Sequence, residues 1–283
     1  MKPIRNFLDQ HKQKFQNGGN LEKWFPIFDA IENLLYSSDK RTFGAVHVRD
    51  SSDIQRIMVI VWLSTFPVMF YGMYNIGFQA LTAIEATGVI PEGDWHFIFI
   101  NILCNFDPNS VFDCIWYGAC YFIPIYAVTF IVGILWEVVF AVVRGHEINE
   151  GAFVTTVLFA LCCPPDAPLW QVALGISFGL VVAKEIFGGT GKNFLNPALA
   201  GRAFLYFAYP LTWSGDSVWV ALDGFSSPTL LAIGAQEGLT GIENAYSWSQ
   251  AFIGSIPGSI GETSTLFILM GLIVLLYTRI ASW

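Results

Sequence analysis

The sequence predicts an all-α polytopic membrane protein with about five to six transmembrane helices, some of them short or broken. Of its 283 residues, 54% are hydrophobic and only 13% are charged, whereas a soluble domain carries about 25% charged residues. Nine of the fourteen Lys and Arg residues lie in residues 1–56, and none lies in 57–143 or 203–278. Long apolar stretches without basic residues are typical of chains that cross a bilayer.

Apolar segments define the predicted elements in chain order. The segment 115–143 would be about 43 Å long as a helix, more than the ~30 Å hydrocarbon core requires. Two other segments, 151–163 and 194–209, are too short to cross alone. Such interrupted helices often mark a binding site, and short helices buried in a bundle are the alternative interpretation. The six segments are 57–81, 115–143, 151–163, 169–187, 194–209 and 263–277.

The distribution of basic residues predicts the orientation, because cytoplasmic loops retain Lys and Arg. An N-terminus in the cytoplasm puts every Lys and Arg on or near that side and leaves 82–114 and 210–262 outside. Four regions follow from this arrangement. They are a cytoplasmic N-terminal extension (1–56), membrane helices (57–209), an outer-face segment (210–262) and a further membrane helix (263–283).

Several function classes are disfavoured. A net charge of −8 argues against binding to nucleic acid, and the five cysteines lack the spacing of a zinc site or a disulfide framework. The stretch Gly188–Asn193 departs from a phosphate-binding loop, since Ile186 replaces its first glycine and Asn193 replaces the hydroxyl residue after Lys192. A dinucleotide fingerprint also fails, because Phe194 stands where its third glycine should be. We therefore expect no direct binding of NADH.

One candidate site lies in the predicted outer segment. Ser227 followed by Pro228 predicts a helix that begins with Ser227 as its N-cap. Thr229 would then lie at the positive end of that helix, where backbone N–H groups favour a phosphate. The alternative is an ordinary helix start with an exposed threonine.

Two further candidates lie in the membrane region. Asn193 and Asn196, three residues apart beside several glycines, carry amides that can recognise the edge of a planar heterocycle. Helix capping and contacts between helices are the alternative for both. Glu137 is an intramembrane carboxylate in the second span, which indicates cation coordination or proton transfer by default. Its alternative is a glutamate paired with a buried donor.

Taken together, these stretches resemble the NqrB/RnfD family, and within it the NqrB type, a membrane component of the Na⁺-translocating NADH:quinone reductase. The polar N-terminal extension favours this type over the RnfD type. The resemblance runs nearly end to end. It is carried by His47–Asp50, Phe70–Asn75, Trp136–Val138, His146–Gly151, Gly188–Arg202 and Ile256–Glu262.

The resemblance implies two flavins. It implies an FMN attached through its phosphate to Thr229, with Ser226 at the matching position in Ser226-Ser227-Pro228-Thr229, although Ser227-Pro228 replaces the family's Gly-Ala. It also implies a non-covalent riboflavin, for which Asn193 and Asn196 are the candidate contacts. Glu137 matches an acidic position that is associated with sodium uptake in the family.

The function implied is that of an electron-carrying component of a redox pump in the bacterial inner membrane. Its expected partners are the other subunits, quinone, sodium ion and membrane lipid. The family continues into a second membrane repeat, so the chain is expected to be a fragment or a truncated product. The alternatives are an RnfD-type component of a ferredoxin:NAD electron-transport complex and a secondary transporter without a flavin.

Overall fold

The computed structural model describes residues 54–88, 94–144, 151–222 and 224–283, with residues 10–12, 15, 25 and 28. The predicted N-terminal extension and Asp223 therefore lie largely outside the described residues. All regular structure in the described ranges is helical. The helices are α1 (Ile54–Ser64), α2 (Phe66–Thr87), α3 (Trp95–Leu103), α4 (Val111–Arg144), α5 (Gly151–Leu161), α6 (Leu169–Ala183), α7 (Pro197–Ala208), α8 (Pro210–Trp213), α9 (Leu230–Ala245), α10 (Trp248–Ile253) and α11 (Thr265–Tyr277), with a 3₁₀ turn at Glu185–Phe187.

Three stretches in the described part of the chain are long and apolar enough to cross a membrane. They are Arg56–Thr87, Val111–Arg144 and Leu169–Phe187. The predicted polytopic α-helical class is confirmed. Helix α5 has 11 residues and is about 16 Å long, so it is as short as predicted, and α7 has only 12 residues.

The first span differs from its prediction at both its interior and its end. A turn at Thr65 separates α1 from α2, and Pro67 stands in the first turn of α2, where a missing N–H is tolerated. The helix continues to Thr87 instead of ending near Leu81, so residues 82–87 belong to α2 and not to the outer segment. The prediction was wrong here because it followed hydropathy. The helix ends at Gly88, which adopts a φ of 67° and donates its N–H to the Ile84 carbonyl.

Helix α4 is the centre of the bundle and packs against α2, α3, α5 and α6. Its contact with α2 is a backbone contact. A Cβ added at Gly118 would lie 1.8 Å from the Met73 carbonyl oxygen, and one at Gly77 would lie 1.9 Å from that of Cys114. Small residues permit this approach, which is a common way for helices to associate in membranes.

Helices α6 and α7 pack in the same way. A Cβ at Gly179 would lie 2.2 Å from the Pro197 carbonyl oxygen, and one at Gly201 would lie 2.4 Å from that of Gly175. These contacts run α7 antiparallel to α6, so α7 begins at the end of the bundle where α6 finishes. Because α5 also packs against α4 and α7, both short helices lie inside the bundle.

Arg202 is an exception to the predicted distribution of basic residues. Its Nε donates to the Cys162 carbonyl at 3.0 Å, and its Nη2 donates to the Trp213 carbonyl at 3.1 Å. Trp213 in turn donates to Gln171 near the start of α6, whereas Lys184 lies at the end of α6. The guanidinium therefore lies at the opposite end of the bundle from Lys184. The carbonyls past the end of α5 attract it there, because a helix C-terminus favours a cation.

Candidate functional site

Thr229 lies at the N-terminus of α9, as the sequence predicted, but it is itself the N-cap. Its backbone is extended, and its Oγ1 accepts from the Ala232 N–H at 3.3 Å. The prediction that Ser227 caps the helix was wrong by two residues. Ser227 instead donates its backbone N–H to the Asp216 carbonyl at 2.9 Å, so this chain segment turns into the helix only after Pro228.

The segment that precedes Thr229 is anchored in the core. Ala221 is buried, and its carbonyl accepts from the Tyr117 hydroxyl at 2.7 Å. Phe225 then donates its N–H to the Leu222 carbonyl. These contacts hold the start of the segment that leads to Thr229, while Ser226 stays exposed.

A cavity of about 400 Å³ lies beside Thr229, which is within the range of about 300–1,000 Å³ for ligand pockets. One wall is formed by Trp219 and by Thr229 with its two successors, and the other by the segment Ile256–Thr265. Glu262 on that second wall accepts from the Ser259 hydroxyl at 2.7 Å and from the Cys162 thiol at 3.6 Å. The cavity thus combines a hydroxyl at a helix N-terminus with apolar surface and a carboxylate.

A second cavity, of about 380 Å³, contains both predicted asparagines in its wall. Asn196 is the N-cap of α7, and its Oδ1 accepts from the Ala198 and Leu199 N–H groups. Asn193 donates its Nδ2 to the Leu195 carbonyl at 2.8 Å. The helix-capping role is therefore present, and it directs the Nδ2 of Asn196 and the Oδ1 of Asn193 to other partners. The same wall includes Gly151 at the start of α5, and Lys184.

The glycines before Asn193 have a structural role. Gly188, Gly189 and Gly191 adopt φ values of 110°, 91° and 85°, which side chains rarely tolerate. A Cβ at Gly189 would lie 3.7 Å from both carboxylate oxygens of Glu185. The loop consequently wraps around the buried end of the 3₁₀ turn.

Glu137 belongs to a buried ion-pair network of four residues. Its carboxylate is in a short contact with the Nζ of Lys184, whose ammonium lies 3.8 Å from Oε1 of Glu185. Arg144 donates to Oε2 of Glu185 at 2.9 Å and to its backbone carbonyl at 2.7 Å. Glu137 is paired, as the alternative interpretation held, and it lies about two turns from the end of α4 rather than deep in the span.

The two cavities lie at opposite ends of the bundle. Helix α5 begins with Gly151 at the second cavity and ends just before Cys162, which contacts Glu262 at the first. The structure thus brings Asn193 and Asn196 together, and it separates them from Thr229. Lys184, Trp219 and Glu262 were not predicted as site residues, since only their contacts with distant parts of the chain bring them to the cavities.

Comparison with known proteins places the chain in a family. A family model described as "NQR2, RnfD, RnfE family" matches residues 42–283. The chain is 55% identical to the NqrB component of the Na(+)-translocating NADH-quinone reductase of Pseudomonas paraeruginosa, with 99% of this chain and 70% of that protein covered.

Proteins with the same name from two further organisms give similar values. The chain is 56% identical to that of Azotobacter vinelandii, over 99% of this chain and 70% of the relative. It is 57% identical to that of Chromohalobacter salexigens, over 99% and 68% respectively. The chain therefore belongs to the NQR2, RnfD, RnfE family.

Proposed function

We propose that the chain acts as the NqrB component of a Na⁺-translocating NADH:quinone reductase. In this role it carries electrons through a covalent FMN and a riboflavin to quinone, and the electron transfer is coupled to export of sodium. The identity of 55–57% to proteins with that name supports the assignment. Its partners would be the other subunits, quinone, sodium and membrane lipid, and NADH would bind to another subunit.

Thr229 at the start of α9, beside a cavity of about 400 Å³, is the observation that carries the proposal. A phosphodiester on its Oγ1 keeps one negative charge at the helix N-terminus, where backbone N–H groups and the macrodipole stabilise an anion. Trp219, Ile256 and Pro257 offer apolar surface to a planar ring in the same cavity. Ser226, which is exposed three residues earlier, is available to the enzyme that attaches the flavin.

The second cavity fits a neutral flavin without a phosphate. Asn193 and Asn196 supply an amide acceptor and an amide donor at its wall, and Leu158, Phe194 and Leu195 supply apolar surface. When bound, the two flavins would supply the electron-transfer chemistry. The side chains of this chain would bind and orient the rings, and Glu137 would contribute to the sodium path.

Flavin content tests the proposal against the transporter alternative, which the short helices α5 and α7 and the buried ion pair would also suit. We expect a fluorescent band at the mass of this chain in a denaturing gel, and free riboflavin in the supernatant after denaturation of the purified complex. A transporter without a flavin would give neither signal. Protein from the native host is required, since attachment depends on the host's flavin transferase.

The proposal also includes the bacterial inner membrane, with the N-terminus in the cytoplasm. This orientation puts α9 outside and the Gly188–Gly191 loop inside. We expect a membrane-impermeant maleimide to label Ser249→Cys on intact spheroplasts but to label Lys192→Cys only after lysis. The unsubstituted protein, whose cysteines are buried or half-buried, supplies the background. The reverse pattern would contradict the orientation.

A further inference from the structure

Lys184 connects the ion-pair network to the second cavity. Lys184, Glu137 and Glu185 are each no more than 3% exposed, and the Lys184 ammonium lies between the two carboxylates. With Arg144 on the far side of Glu185, two cations balance two carboxylates. Lys184 is also part of the wall of the second cavity.

A buried ion pair is a costly way to hold two helices together. Desolvation of both charges offsets much of their attraction, and apolar residues of similar volume are often as stable. The pair joins α4 to the end of α6, a contact that Trp136 already supports by donating to the Ser177 hydroxyl at 2.9 Å. Packing alone therefore does not account for a lysine at position 184.

The geometry points to Lys184 as a specificity-determining residue of the sodium path. We propose that its ammonium occupies the position that a sodium ion takes between Glu137 and Glu185, so that each ion must displace it. This inference rests on the proposed sodium-pumping function. A covalently tethered cation competes with every monovalent ion, and only an ion that the two carboxylates bind strongly can replace it.

The second cavity gives the displaced ammonium a place to move to. Thr155, Thr190 and Asn193 lie in the same wall as Lys184, and their side-chain oxygens are hydrogen-bond acceptors. A lysine has the flexible four-carbon stem that such a movement needs. The ammonium can thus leave the carboxylates without entering an apolar environment.

Two substitutions of Lys184 have opposite expected effects. Lys184→Met removes the competitor and leaves two carboxylates against one arginine, so sodium should bind more tightly, by about tenfold or more. Potassium should also become an effective ligand. Lys184→Arg places a planar, permanently charged fork against the carboxylates, so more sodium should be needed. Lys192→Met is the matched control, since it removes one positive charge from the exposed loop at the same end.

The measurement is the sodium concentration that gives half-maximal stabilisation of the purified complex against heat, with choline keeping the ionic strength constant. Sodium dependence of quinone reduction is the second readout. A lower value for Lys184→Met and a higher value for Lys184→Arg support the inference. Unchanged or weaker sodium binding in a flavin-loaded Lys184→Met complex would overturn it.

If Lys184→Met does not assemble, Lys184→Arg still decides, because an unchanged sodium requirement in that variant contradicts competition. If the unsubstituted complex shows no sodium dependence in either readout, the proposed function fails instead. The two failures are therefore distinguishable.

Discussion

Replacement of Thr229 by valine should abolish the covalent flavin. Valine lacks the hydroxyl that the phosphoester requires, so no fluorescent band should remain at the mass of this chain in a denaturing gel. Valine also removes the cap on the Ala232 N–H, which costs about 1 kcal/mol. Because this loss falls on a half-buried position at the start of α9, we expect the membrane bundle to remain folded.

A second variant separates loss of the hydroxyl from loss of the cap. Thr229→Asn keeps a good N-cap and supplies no hydroxyl, so it should lack the band as completely as valine does. Thr240→Val is the matched control, since Thr240 is an exposed threonine of the same helix that donates to the Glu237 carbonyl. It should keep full fluorescence. An unchanged band in Thr229→Asn would place the flavin on another residue.

Hydropathy and charge predicted the elements of the fold well where these properties change abruptly. The segment 169–187 matches its helix and 3₁₀ turn, and α5 ends before Pro164 and Pro165 as expected. Errors arose where hydropathy is a poor guide to helix boundaries. The residues that follow Leu81 are polar enough to suggest a loop, but they continue α2 until Gly88 ends it.

The sites were less predictable, because their geometry depends on contacts between distant residues. Glu137 and Lys184 are 47 residues apart, and Cys162 and Glu262 are 100 apart. No local pattern marks such pairs. The cap of α9 was missed for a different reason, since a serine before a proline and a threonine after it are both good N-caps. The bond from the Ser227 N–H to the Asp216 carbonyl, a tertiary contact, accompanies the choice of Thr229.

Asn196 has two separable roles in the second cavity, and its variants should therefore differ in flavin content. Asn196→Ala loses the cap of α7, which costs about 1 kcal/mol, together with the amide that faces the cavity. Asn196→Ser keeps an oxygen for the Ala198 and Leu199 N–H groups but has no amide donor. We expect the serine variant to match the unsubstituted protein in thermal stability and to lose most of its riboflavin.

The measurement is the amount of riboflavin that denaturation releases per covalent flavin, since the covalent FMN serves as an internal standard for the amount of protein. Ser249→Ala at the other end of the bundle should leave this ratio unchanged. If Asn196→Ser retained its riboflavin while Asn196→Ala lost it in proportion to its lower stability, Asn196 would act only as a helix cap. The flavin contact would then have to come from Asn193 or from another group in the wall. If both variants lose riboflavin and only the alanine variant loses stability, the amide itself binds the ring, and the N-terminus of α7 serves to position that amide at the cavity.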